Sequence, residues 1–221
     1  MRRTTGIAQS DAVGAIAQLS LRREQDRMAE LIPALTTDDT SRPPAGAAAA
    51  VEAFALVESG YRDDAAILLH RAGHAAFNDV PDDVDWPVAV ALWSEVAAHV
   101  GDRHAAAELV EILRPHDGIQ MCSGGAGCGP ASRLLAIQEM LLGRPADADR
   151  HFAEAIAFSR EFSSPVWTAR CQLDWAQTWL DRGQTERATQ LTDAADDAAG
   201  ELALPALGRQ WTTLRDQLDR A

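Results

Sequence analysis

The sequence has no lysine; all twenty basic residues are arginine, which reads as the codon bias of a GC-rich genome. Without lysine there is no Gly-x-x-x-x-Gly-Lys-[Ser/Thr] phosphate loop, which excludes nucleotide chemistry built on that motif. Aromatic residues make up only 5% of the chain, and β-branched runs are scarce. Both observations argue against a β-sandwich or barrel. No run approaches the ~18 uninterrupted apolar residues of a bilayer span. The N-terminus, Met1-Arg-Arg-Thr-Thr-Gly6, is basic but lacks a following apolar segment, so no secretory leader is expected. Cysteine is also sparse. Three residues, an odd number, fit a reducing cytoplasm rather than a disulfide framework.

Positive charge is in short supply as well. The 33 acidic residues outnumber the basic ones, giving a formal charge of −13. A surface this acidic repels phosphate backbones, so direct nucleic-acid binding is not expected. Anionic membrane surfaces are disfavoured for the same reason.

What is abundant is alanine, at 43 of 221 residues. Alanine has the highest helix propensity, and the length suits one helical domain spanning residues 1–221. A short motif recurs along it: glycine, a polar stretch, then alanine five positions on. The copies are Gly60-Tyr-Arg-Asp-Asp-Ala65, Gly101-Asp-Arg-His-Ala-Ala106, Gly143-Arg-Pro-Ala-Asp-Ala148 and Gly183-Gln-Thr-Glu-Arg-Ala188. A degenerate copy, Asp26-Arg-Met-Ala-Glu-Leu31, has aspartate in the glycine slot. Apolar residues before and after Gly101 (Val88, Ala91, Leu92, Val96; Ala106, Leu109, Val110, Leu113) fall at helical spacing. The glycine fits a left-handed helix stop, and the alanine fits close approach of the next helix.

Helix pairs repeating about every 40 residues predict an all-α, right-handed helical-repeat solenoid of tetratricopeptide type. About five helix pairs and a capping helix are expected. The predicted helices are ~11–25 and ~27–36, ~45–58 and ~62–76, ~87–100 and ~102–114, ~130–142 and ~145–162, ~165–182 and ~184–200, then ~205–219. Thr36–Pro44 reads as a turn cluster. Asn78–Asp85 and the glycine-rich His116–Gly129 read as longer connections, with no strand in either.

Several strings, in this order, resemble a known group of proteins. They include Leu21-Arg-Arg-Glu-Gln-Asp-Arg-Met-Ala-Glu-Leu31, Trp93-Ser-Glu-Val-Ala-Ala-His-Val-Gly-Asp102 and Gly127-Cys-Gly-Pro-Ala-Ser-Arg133. They continue with Leu142-Gly-Arg-Pro-Ala-Asp-Ala-Asp-Arg-His-Phe152 and Pro165-Val-Trp-Thr-Ala-Arg-Cys-Gln-Leu-Asp174. From about residue 15 to 207 the chain is similar to the C-terminal helical-repeat region of bacterial signal-transduction ATPases. LuxR-type regulators and ATPase-linked nucleotidyl cyclases carry such regions. The resemblance implies a sensor or scaffold role in signal transduction or transcription regulation. The ATPase, the cyclase carboxylates and a DNA-reading helix are not evident in this sequence.

Candidate sites compete with plainer accounts. The loop Met121–Arg133 could turn backbone N–H groups towards an anion beside the start of the following helix, or it could be a packing turn. Cys122 and Cys128 are too widely spaced for a usual zinc pair, and no second pair exists. His116 is a conceivable base for a cysteine nucleophile. His70 and His74 share a helix face but lack the Glu of a His-Glu-x-x-His site. No metal set, cofactor or catalytic constellation is therefore expected. Trp93, Trp175 and Trp179 fit a helical core.

In tetratricopeptide arrays, the first helix of each pair lines the concave face. Counting back from the glycines places Phe54, Val57, Ala91, Glu95 and Ala98 there. Arg133, Ile137, Met140, Arg170, Leu173 and Gln177 follow in the C-terminal half. Arg133 and Arg170 can offer forks to a carboxylate, unless they pair internally with Glu139, Glu154 or Asp174. The favoured reading is a non-enzymatic module taking a protein segment or small effector in this groove. The alternatives are a small enzyme using His, Asp or Glu in a central cavity, and a structural oligomerisation piece.

Overall fold

Proline opens helices in this chain, and left-handed residues close them. Pro87, Pro145, Pro165 and Pro205 occupy the first turn of four helices, where a missing N–H leaves no intrahelical bond unmade. Gly60, Gly101, Gly143 and Gly183 follow four helix ends with φ of +86°, +78°, +78° and +71°. Asp26, in the glycine slot of the first copy, has φ +58°. Ala65, Ala106, Ala148 and Ala188 are fully buried, as the close-approach argument requires.

The structure, a computed structural model, describes residues 5–36, 43–124 and 126–221. Residues 1–4 and most of the expected turn cluster Thr36–Pro44 lie outside them. Among the described residues there are eleven α-helices and one two-stranded sheet. The helices are α1 (Thr5–Glu24), α2 (Ile32–Leu35), α3 (Ala47–Glu58), α4 (Arg62–Ala72), α5 (Trp86–Val100) and α6 (Arg103–Leu113). They continue as α7 (Ala131–Leu141), α8 (Pro145–Glu161), α9 (Pro165–Asp181), α10 (Thr185–Glu201) and α11 (Pro205–Leu218). The molecule is thus mostly helical. None of these helices is long and apolar enough to cross a membrane. The expected helix at ~27–36 is instead a 3₁₀ turn, Met28–Leu31, followed by the single turn α2.

Helices α3, α5, α7 and α9 touch in succession, and α4, α6 and α8 each pack between their odd-numbered neighbours. Helix α5 is buried on every side from Val88 to Ala97, as expected of a helix apolar all round. Arg62, opening α4, donates to the Val100 carbonyl at the end of α5. Arg103, opening α6, does the same to Leu142 just past α7. Helix α11 packs on α9 and α10 and also touches α1, bringing the first and last helices into contact.

The connection at His116–Gly129 departs from expectation. It holds an antiparallel hairpin, β1 (Gln120–Ser123) and β2 (Ala126–Pro130), pairing Cys122 with Gly127 and Ser123 with Ala126. The hairpin packs against α1 and α5. Two N–H groups of this stretch are thereby engaged: Gly127 N donates to Ser20 Oγ at 2.9 Å, and Ala131 N, opening α7, donates to the Ile119 carbonyl. Burial and inter-strand bonding override a sequence with little β propensity.

The apolar core has a seam. One cluster runs from α1 through α7 and the hairpin, and a second joins α9, α10 and α11. Buried charge lies between them.

Candidate functional site

The seam opens into a cleft of about 560 Å³ bounded by α5, α7, α9 and α11, with the end of α1 at its floor. Glu95 is 3% exposed and accepts two hydrogen bonds from Arg23, at 2.8 and 2.6 Å. Arg133 lies on the other side of the same carboxylate, with its Nη2 3.4 Å from Glu95 Oε2. Its Nε donates to Asp174 at 2.6 Å, and Asp174 also accepts from Gln210 at 2.7 Å. Arg170 donates to both oxygens of Glu24 at 2.9 Å. The Trp167 ring lies beneath all three guanidiniums, with centroids 5.4–5.6 Å away. Nearer the mouth, Arg209 holds Asp26 and Glu58.

Local sequence explains these placements. Arg23 and Glu24 end α1 just before the left-handed Asp26. Glu95 sits on the otherwise apolar α5, two turns before Gly101. Arg133 is the third residue of α7, aimed inward because β2 enters that helix from a buried position. Gly129 permits the arrangement: at φ +86°, a Cβ there would stand 2.6 Å from the Trp167 ring.

The electrostatics hold Glu95 and Arg133 in their charged forms. Burial opposes ionisation of Glu95, but the adjacent guanidiniums of Arg23 and Arg133 overcome it and hold the carboxyl well below the usual range. Burial also works against protonated Arg133, and Asp174 and Glu95 outweigh it to raise its pKa. Arg170 is different. Burial and the like charge of Arg23 lower its pKa, against only partial relief from Glu24, and its Nε has no hydrogen-bond partner. It is the least compensated cation of the floor. Burial pushes the thiols of Cys128 and Cys171 up to about 12, so neither is a nucleophile near neutrality.

All seven candidate binding residues (Glu95, Arg133, Ile137, Met140, Arg170, Leu173 and Gln177) line this one cleft. The two arginines are nevertheless internally paired. Arg133 takes Asp174, one of the three acids considered, whereas Arg170 takes Glu24. Glu139 and Glu154 are held by Arg144 and Arg150 instead. Phe54, Val57 and Ala91 fall outside the cleft; Phe54 is core, packed under Arg23. Arg23, Glu24, Trp167 and Arg209 escaped the sequence reading. Counting back three residues from Asp26, as from the glycines, would have found Arg23.

The remaining candidates disperse. His116 rests on Trp86, ring centroids 4.7 Å apart. His70 lies in the last turn of α4, and His74 in the 3₁₀ turn beyond it. Cys122, Cys128 and Cys171 are free thiols. His99 meets the Glu95 carbonyl, one turn back within α5, through Nδ1. Trp93 is fully buried core. Trp175 and Trp179 are only partly buried; Trp175 donates to Asp149, and Trp179 stacks under Arg182.

Comparison with known proteins returns no match: no family model, curated protein or solved structure aligns significantly with this chain.

Proposed function

We propose that this chain is a non-enzymatic recognition module whose central cleft takes a small effector or the tip of a protein segment. One observation carries the reading: the cleft joins apolar walls, Ile137, Met140, Leu173 and Leu214, to a floor of buried charges that pair with one another. Its volume falls in the ~300–1,000 Å³ range of small-molecule sites. Proton-transfer catalysis needs groups tuned towards the working pH. Here Glu95, Arg23 and Arg133 are shifted in the opposite sense, each locked into its charged form. That weighs against the alternative, a small acid–base enzyme in the same cavity.

The architecture belongs to the same proposal. A right-handed tetratricopeptide-like solenoid of five helix pairs with α11 as cap is supported by the five left-handed turn residues and the four buried alanines. A regulatory role in the cytoplasm, as in the helical-repeat regions of signal-transduction ATPases, rests on the sequence resemblance.

The test is thermal-shift screening against metabolites and short peptides, with hits retested on Ile137→Glu and Met140→Glu. Ligands that raise the wild-type melting temperature should lose that effect in both variants. Hits indifferent to both substitutions, or turnover of any screened compound, would sink the proposal.

A further inference from the structure

Outside the cleft, the fold assembles three ligand-type side chains that the sequence does not mark as a set. His151 and Glu154 share a face of α8 at i, i+3, and Asp117 comes from the segment between α6 and β1. One donor atom from each lies within 4.8 Å of the other two. We propose that Asp117, His151 and Glu154 form a binding site for a divalent transition metal, with zinc the best fit.

Three observations carry this. His151 is 94% buried by its 6% exposure, yet its Nδ1 has no hydrogen-bond partner. A buried ring nitrogen left without a partner is costly. Carboxylate oxygens of Glu154, at 3.2 Å, and of Asp117, at 3.5 Å, stand at ion-pair distance from that nitrogen but outside hydrogen-bonding geometry. A tetrahedral ion with bonds of ~2.0–2.1 Å spaces its donors about 3.4 Å apart, so both separations already match edges of such a shell. The third edge closes by rotation of Asp117 and Glu154, which are 34% and 46% exposed. One imidazole and two carboxylates suit zinc, and also manganese or cobalt. A fourth position is left for water.

Arg150 competes for this site. It donates to both Glu154 oxygens at 3.1 Å and to His151 Nε2 at 3.0 Å. With Nε2 accepting, the ring proton of neutral His151 sits on Nδ1. A metal on Nδ1 moves that proton to Nε2 and displaces Arg150, which is 52% exposed and lies 4.0 Å from Asp147 as another partner. The metal then joins α8 to the connection entering β1, one residue from Phe152 in the cleft wall.

The experiment uses the metal-stripped full chain titrated with zinc chloride, followed by calorimetry and thermal melting, with cobalt(II) as a spectroscopic probe. The wild type should melt about 5–10 °C higher at a hundredfold excess of zinc over Kd. The cobalt form should show the visible absorption of a low-coordinate site. Asp117→Asn with Glu154→Gln, which spares buried His151, should abolish both signals. Arg150→Ala should tighten binding several-fold. The proposal is overturned if the wild type does not respond, if the double variant responds equally through other histidines and thiols, or if Arg150→Ala weakens binding.

Discussion

At the scale of single residues, Glu95 decides most. Its carboxylate is shared by two buried arginines, from α1 and α7. Glu95→Gln removes the charge while keeping the shape, and leaves Arg23 facing an amide. Breaking a buried pair from one side costs about 3–5 kcal/mol, and urea unfolding should show a loss of that size. The pH dependence follows from the depressed carboxyl. Because the folded pKa lies below the unfolded one, the contribution is complete above about pH 5 and drains away as pH falls below ~4.3 towards the folded value. The wild type should therefore lose stability steeply below pH 4. Glu95→Gln should show a shallower slope there; an unchanged slope would mean that other carboxylates govern acid unfolding. Gly129 is the second decisive position. Gly129→Ala combines φ +86° with a 2.6 Å clash against Trp167, a ring held beneath three guanidiniums. A loss of roughly 2–4 kcal/mol is expected, with a shift in tryptophan fluorescence; full stability with unchanged emission would show that the ring moves freely.

At the scale of elements, the stops matter more than the helices between them. Gly183 isolates the effect, since φ is +71° and nothing lies within 4 Å of an added Cβ. Gly183→Ala should cost about 1–2 kcal/mol from backbone strain alone, and Gly183→Asn clearly less. Chemical denaturation of the two side by side checks the ordering. Equal losses would place the cost in packing instead. Asp26 occupies the same conformation without glycine, which is the natural precedent for the asparagine variant. These stops also explain what the sequence disclosed. The glycine period and the helix-opening prolines placed most helix ends within a few residues. The stride back from Gly101, Gly143 and Gly183 brought seven residues into one cleft. The hairpin stayed hidden because Met121–Pro130 has no β-branched or aromatic residue, and its pairing is imposed by burial against α1 and α5. The partners of the arginines stayed hidden for another reason. Arg23 and Glu95 are 72 residues apart, and Glu24 and Arg170 are 146 apart. Helical periodicity places a side chain on a face but does not say which distant face it meets.

At the scale of the whole molecule, only one of two populations of charge responds to salt. The network of Arg23, Glu95, Arg133 and Arg170 is buried, so mobile ions barely reach it. The surface carries the −13 excess, and its repulsion extends over a Debye length of about 30 Å at 0.01 M ionic strength but about 3 Å at 1 M. Exposed pairs such as Arg114 with Glu111 and Arg150 with Glu154 weaken in salt too, but each is worth at most ~1 kcal/mol. The like-charge excess acts on every acidic residue at once, including Asp63, Asp64, Asp82 and Asp83, which have no basic neighbour in sequence beyond Arg62. Screening should therefore stabilise the fold on balance. The melting temperature is expected to rise by a few degrees between 0.01 and 0.5 M sodium chloride, and Glu95→Gln should show the same increment from a lower start. A melting temperature that falls with salt would mean that attractive pairs outweigh the repulsion. A salt increment that vanishes in Glu95→Gln would mean that the central network is open to solvent ions, which would undercut the view of the cleft floor as a sealed cluster of paired charges.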